Sequence, residues 1–177
     1  MSFRTSVFAA YSVVSSDTYY HGAASELPTG RLKPFSKRWK AFDGKEVDMP
    51  FWVSPSKKFA ELHGNHVYEV KVHVPKEKIF GAREYTGPGR YWEDMVVDDG
   101  KLLYSALEKG ELFGDVENFE SVFQDLIRED YDIVETEEFI SWLKKKGFRA
   151  THVSGDGERN LMVFDPTDIE VMRSVDK

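Results

Sequence analysis

The sequence predicts an α+β fold, and three observations carry that prediction. Strand-like apolar runs cluster at both ends of the chain, helical spacing is confined to the middle, and the two do not alternate as they do in a doubly wound α/β protein. Ser6 to Ser15 and Tyr19 to Tyr20 read as extended, and Gly22 through Gly30 reads as a loop. Phe51 to Ser54 forms a short strand, after which Ser54 or Ser56 can cap a turn of helix through Phe59, Ala60 and Leu62. From His66 to Val74 the pattern has period two: Val67, Glu69, Lys71 and His73 face one way, and Tyr68, Val70, Val72 and Val74 the other. Pro75 ends that strand, and Ile79-Phe80 adds a short one before the Gly87-Pro88-Gly89 turn.

The stretch from Trp92 to Asp132 is acidic, with helical spacing at Phe119, Val122, Phe123, Leu126 and Ile127. A second helix has both of its ends marked. Thr136 is its N-cap, Glu137 and Glu138 lie in its first turn, Phe139, Ile140 and Leu143 form an apolar face, Lys144 to Lys146 close it, and Gly147 stops it. Phe148 to Val153 and Leu161 to Phe164 return to strand around a Gly155-Asp156-Gly157 turn, and Ile169 to Met172 is the last strand.

Composition limits what these elements can do. With 177 residues, 41% hydrophobic and 14% aromatic, the chain can bury one real core, so a single domain over 1–177 is expected, with 85–132 as a variable acidic helical insertion. Zero cysteines exclude disulfides, thiolate zinc sites and cysteine nucleophiles, and the five His are too scattered to suggest a metal. The first ten residues fall short of a signal-peptide core and no apolar run reaches membrane-spanning length, so a soluble, cytoplasmic protein with no membrane partner is expected.

The net charge of -7 is unevenly spread: residues 1–90 carry 14 Lys+Arg against 9 Asp+Glu, and residues 91–177 carry 10 against 22. Such an acidic balance disfavours sequence-independent grip on nucleic acid, which depends on neutralising phosphates. One basic patch interrupts it. Arg31, Lys33, Lys37, Arg38 and Lys40 interleave with Phe35 and Trp39, a mixture suited either to a pyrophosphate or stacked base, or to a solvated loop anchored by its aromatics. Phosphate-binding Gly-Lys loops, nucleophile elbows and metal-ligand clusters are lacking, which disfavours hydrolase and phosphoryl-transfer chemistry.

Three short pieces recur at strand–loop junctions: Tyr20-His21-Gly22, Phe51-Trp52-Val53-Ser54-Pro55-Ser56, and Glu158-Arg159-Asn160-Leu161-Met162-Val163-Phe164-Asp165-Pro166. In order and spacing this set resembles the NAD-binding core of the ADP-ribosyltransferase superfamily, in its His-first branch of poly-ADP-ribose-polymerase-like and diphtheria-toxin-like enzymes. The resemblance covers both ends of the chain and leaves 85–132 unexplained. It implies a split β-sandwich with flanking helices, NAD as substrate, and transfer of a single ADP-ribose to a macromolecule, a protein more readily than a nucleic acid. Small stand-alone transferases of this kind are similar to toxins, injected effectors and phage proteins.

Residue by residue, the resemblance implies that His21 hydrogen-bonds the adenosine ribose and that the Gly22 backbone holds the nicotinamide carboxamide. Trp52 or Phe51 would stack on the nicotinamide, Ser54 would brace the pocket, and Ser56 and Phe59 continue the motif into the helix; Arg31 would serve the pyrophosphate. Relatives place a Glu at the head of the late strand, because cleavage of the ribose–nicotinamide bond builds positive charge that an anion stabilises. Aligned on Phe164-Asp165-Pro166, this chain has Asn160 there and Glu158 two residues earlier. The acid is then Glu158, or another such as Asp156; or the enzyme works with Asn160; or the chain is an inactive relative that binds a partner. An NAD-dependent enzyme acting on nucleic acid through the 31–40 patch is a further alternative.

Overall fold

A computed structural model describes residues 18–81, 98–155 and 157–175. The extended reading of Ser6 to Ser15, the Gly87-Pro88-Gly89 turn, Trp92 and Asp156 lie outside the described residues. Among the described residues the fold is mixed α+β. In chain order its first half contains β1 (Tyr19–Ala23), β2 (Gly30–Arg31), β3 (Arg38–Lys40), β4 (Glu46–Asp48), β5 (Phe51–Val53), α1 (Lys57–Ala60), β6 (His66–Val72) and β7 (Ile79–Phe80). The second half contains α2 (Asp98–Glu108), α3 (Phe119–Ile127), α4 (Tyr131–Val134), α5 (Glu137–Lys145), β8 (Ala150–Gly155), β9 (Glu158–Val163) and β10 (Ile169–Ser174).

The strands form two four-stranded sheets, β1-β6-β10-β2 and β5-β9-β8-β7, and a separate β3-β4 hairpin. The sheets share one core: Phe51, Val53, Leu161 and Val163 of the second pack with Val70, Ile169 and Val171 of the first. Strand alternation turns Met162 and Val153 to the opposite face, where they meet Leu103, Phe123, Phe139 and Leu143 from the helices. Three layers result, sheet on sheet on helices. Each buried Leu or Phe contributes roughly 1.5–3 kcal/mol of transfer free energy, so the middle sheet, apolar on both faces, holds the layers together.

α5 forms as its sequence predicts. The Thr136 side chain accepts from the Phe139 N–H, Glu137 and Glu138 stand at the positive end of the helix dipole, and Lys144 and Lys145 stand at the negative end. Gly147, at φ +90°, supplies the left-handed turn that ends it. The acidic stretch is more than a solvated layer: α2 and α3 bury Leu103, Leu107, Phe123, Leu126 and Ile127 in the helix-side core.

The first strand runs further than its local sequence suggests. Tyr19 to Ala23 pair with Val70 to His66, so His21 and Gly22 sit within β1, opposite Tyr68 and Val67, rather than at the start of a loop. At Gly22 the reason for glycine is packing. A Cβ there would stand 2.0 Å from the Ala60 carbonyl oxygen, so only glycine lets α1 lie against β1.

Candidate functional site

At one point the two sheets touch edge to edge. Tyr20 N–H donates to Ser54 C=O (2.7 Å) and Ser54 N–H donates to Tyr20 C=O (2.8 Å), a single antiparallel bridge between β1 and the end of β5. Beyond that bridge the sheets diverge around a cleft of about 880 Å³, a volume suited to a ligand of cofactor size. His21, Gly22, Phe51, Trp52, Ser54, Phe59 and Asn160 all line it. Pieces from three distant parts of the sequence thus meet on one surface.

The geometry fixes the state of His21. Its Nδ1 lies 2.7 Å from the Trp52 carbonyl oxygen, which can only accept, so Nδ1 carries a proton, and in the neutral ring Nε2 is the acceptor. Burial holds the His21 pKa below its ordinary value, outweighing the bond to Trp52, and His63 pushes in the same direction as burial. The ring stacks on Phe51, centroids 4.0 Å apart. A rigid imidazole with its acceptor nitrogen available results.

Gly22 offers backbone instead of a side chain. Because Tyr20 directs its N–H and C=O to Ser54, the alternation of an antiparallel strand directs those of Gly22 to the same side of β1, the sheet edge among the described residues. One donor and one acceptor stand side by side there. Across the cleft, Phe51 is buried in the inter-sheet core while Trp52 faces the other way, with its ring edge-on to Trp39 at 5.1 Å and its Nε1 donating to Glu135 Oε1 at 2.8 Å. Ser54 Oγ accepts from Ser56 N–H (3.1 Å), and Ser56 Oγ accepts from Phe59 N–H (3.2 Å), which caps α1.

On β9, Asn160 pairs with Val153 and is 7% exposed, and its Oδ1 has no hydrogen-bond partner among the described residues. A buried amide oxygen without a donor costs about 1–3 kcal/mol, so a donor from a ligand would recover it. Glu158 lies two residues before it, opposite Gly155, and does not line the cleft. Arg31 is also elsewhere, on β2, donating to the Thr167 carbonyl at 3.0 Å. Of the basic patch, Arg38 is engaged with Asp48 and the Glu46 carbonyl, whereas Lys37, Phe35 and Trp39 line the cleft.

Among the lining residues that the sequence does not point to are His63, Tyr131 and Glu135. Glu135 follows α4, and its carboxyl pKa is pushed up chiefly by burial, against the Trp52 hydrogen bond and with the help of Asp132. Its partner Trp52 is 83 residues away, so no local pattern points to it. Among the described residues no group of three or more His, Asp or Glu is placed to hold a metal ion, and no helix is long and apolar enough to cross a membrane.

No family model matches this chain, and no curated protein does. A solved structure with some likeness is a crystal structure of an anti-CRISPR protein, 12% identical, over 88% of this chain and 94% of that one, with a TM-score of 0.46.

Proposed function

We propose that the chain is an NAD-dependent mono-ADP-ribosyltransferase, with the cleft as its NAD site and the two four-stranded sheets as the split β-sandwich of that superfamily. The observation that carries this reading is the meeting of His21-Gly22 with Phe51, Trp52, Ser54 and Asn160 around one cleft, beside the lone bridge between the sheets. The donors and acceptors suit the ligand. A carboxamide presents one acceptor and one donor, which the N–H and C=O of Gly22 complement, and the neutral Nε2 of His21 can accept from a ribose hydroxyl. Trp52, half-buried at the cleft, supplies flat apolar surface for a pyridinium ring, whereas Phe51 is buried behind His21 and backs the pocket. Lys37, which lines the cleft, supplies a cation for the diphosphate in place of Arg31, which does not line it and donates to the Thr167 carbonyl.

Bound NAD supplies a ribose whose bond to nicotinamide is already weakened by the positive charge on the ring. The chain orients that bond and excludes water. The acceptor is read as a protein with a basic surface, since the second half of the chain carries 10 Lys+Arg against 22 Asp+Glu and steers such partners. The setting expected for such an enzyme is that of a toxin, an effector or a phage protein acting in the cytoplasm.

The test is incubation with adenylate-labelled NAD and a cell lysate, wild type beside His21→Ala, following labelled macromolecules and free nicotinamide. Label transferred by the wild type alone supports the reading. Nicotinamide without transferred label reduces it to NAD hydrolysis, and no NAD bound or cleaved refutes it. The second reading, a relative that binds a partner without chemistry, draws on Asn160 standing where the superfamily carries its acid; partner binding that survives His21→Ala, with no NAD consumed, would favour it.

A further inference from the structure

We propose that Glu135 is the carboxylate of this site, supplying from the turn that ends α4 the negative charge that the late strand, with Asn160, does not. The inference rests on the transferase reading above and assigns the residue that reading lacks.

Position is the first argument. Glu135 lines the same cleft as His21, Trp52 and Asn160, whereas Glu158 does not. Connection is the second. Trp52 accepts from His21 Nδ1 through its carbonyl at 2.7 Å and donates through its indole to Glu135 Oε1 at 2.8 Å, so one residue sets both the histidine and the acid. An indole N–H satisfies one carboxylate oxygen and brings no charge, which leaves Oε2 and the full anionic charge for a ligand.

The segment that carries Glu135 is fixed at its other end. Glu129, 3% exposed, receives Arg159 Nε at 2.7 Å together with Arg159 Nη2, and Ser154 Oγ at 3.1 Å, while its carbonyl accepts from Ser154 N–H at 2.7 Å. Its backbone holds φ +61°, a conformation a Glu adopts only where its surroundings enforce it. Phe42 N–H donates to the Glu135 carbonyl at 2.9 Å, and the α5 N-cap, Thr136, follows at once. Glu135 is therefore on a braced turn that can hold a carboxylate in place through a reaction.

A division of labour follows. Asn160, with its unpartnered buried oxygen, holds a ribose hydroxyl; Glu135 supplies the charge that an amide cannot. In the step, the bond between ribose C1′ and the pyridinium nitrogen breaks with its electron pair leaving on nicotinamide. C1′ then bonds to the acceptor's nucleophilic atom, or to water, whose proton passes to solvent. Glu135 keeps its charge throughout and opposes the positive charge that develops on the ribose.

The experiment compares wild type, Glu135→Gln, Glu135→Asp and Glu158→Gln in the full chain, measuring NAD binding by calorimetry and nicotinamide release. Gln keeps an acceptor for the Trp52 indole and removes only the charge. Expected is NAD affinity within about threefold of wild type, with kcat lowered by about 100-fold or more. Glu135→Asp, which keeps the charge but withdraws it, decides the matter if the Gln variant does not fold; its kcat should fall by about 10-fold or more at similar affinity. Wild-type turnover in either Glu135 variant overturns the inference, and loss confined to Glu158→Gln moves the role to that residue, with the transferase reading intact in both cases. A wild-type protein that neither binds nor cleaves NAD overturns that reading and this inference together.

Discussion

Two stations of buried polar side chains flank β8 and β9, and their surroundings treat them in opposite ways. At one, Glu129 is met by Arg159 through two nitrogens and by Ser154, so that a nearly inaccessible carboxylate has its charge and its lone pairs matched. At the other, Glu135 has an indole N–H for one oxygen and Asn160 Oδ1 has nothing. The same contrast separates Asp168, held by the Arg149 guanidinium at Nε and Nη2, from the cleft. A buried charge that is fully matched fixes the fold; a buried polar group left short and facing a cleft, as Asn160 is, offers a ligand a partner, whereas Trp142 Nε1 and His152 Nδ1, equally short among the described residues, lie away from the cleft. The station that costs stability is the one placed to bind.

Four measurements test this contrast. Arg159→Ala, which leaves Glu129 buried without a countercharge and with only the Ser154 hydroxyl as a donor among the described residues, should cost about 3–5 kcal/mol and lower the melting temperature by about 10 °C, as read by calorimetry; a loss near zero would show that the pair is not the brace described here. Gly22→Ala should cost about 1–3 kcal/mol in urea titration, because the new Cβ meets the Ala60 carbonyl and α1 must move. It should weaken NAD binding as well, since β1 moves with it.

A third measurement uses pH. Burial and the nearby Arg159 hold His152 at about 4 against an ordinary 6.5, and His21 is lowered by burial in the same direction. The unfolded chain therefore binds more protons in that window, so the contribution is fully present above pH 6.5 and is lost as pH falls toward 4. Wild type should lose about 1–2 kcal/mol between pH 7 and 5, and His152→Gln should flatten that slope. Glu135 acts with the opposite sign. Its raised pKa makes its contribution present at low pH and lost as pH rises through the folded value, so Glu135→Gln should be the more stable protein at neutral pH. The smallest effect belongs to Asn160→Leu, which should change stability by no more than about 1 kcal/mol because it removes an unsatisfied oxygen, while NAD binding weakens. A large stability loss there would mean that Asn160 belongs to the fold rather than the cleft.

What the sequence disclosed followed from local rules. α5 is marked by its cap, its first and last turns and its glycine, the strand from His66 by its alternation, and the strands at Phe51, 148–153 and Leu161 by short apolar runs beside turns; the structure has β5 at Phe51–Val53, β6 at His66–Val72, β8 at Ala150–Gly155 and β9 at Glu158–Val163. The α+β class followed from where those runs fall. Hidden from that reading were β3 and β4, three residues each, whose pairing of Trp39 with Val47 is too short to show a period. The extension of β1 over His21-Gly22 was hidden too, because it is enforced by β6 and not by its own residues. In the site, His21, Gly22, Phe51, Trp52, Ser54, Phe59 and Asn160 were named from motif order, and they line one cleft. Glu135 and Lys37's place beside them depend on contacts across the chain, which spacing does not encode.

The strand order also bears on how the chain assembles in time. Among the described residues β2, β5 and β7 have ladder partners only in β10, β9 and β8, so these three strands of the first half pair with strands from the last third of the chain. Closing such pairs early gains little and costs loop entropy, so folding should be slow and nearly all-or-none. Cut between α2 and α3, neither piece can complete a sheet alone, yet each carries the strands the other needs. Two such fragments, fused to separate carriers, should regain the fold only when brought together, which makes this topology a natural split reporter of proximity.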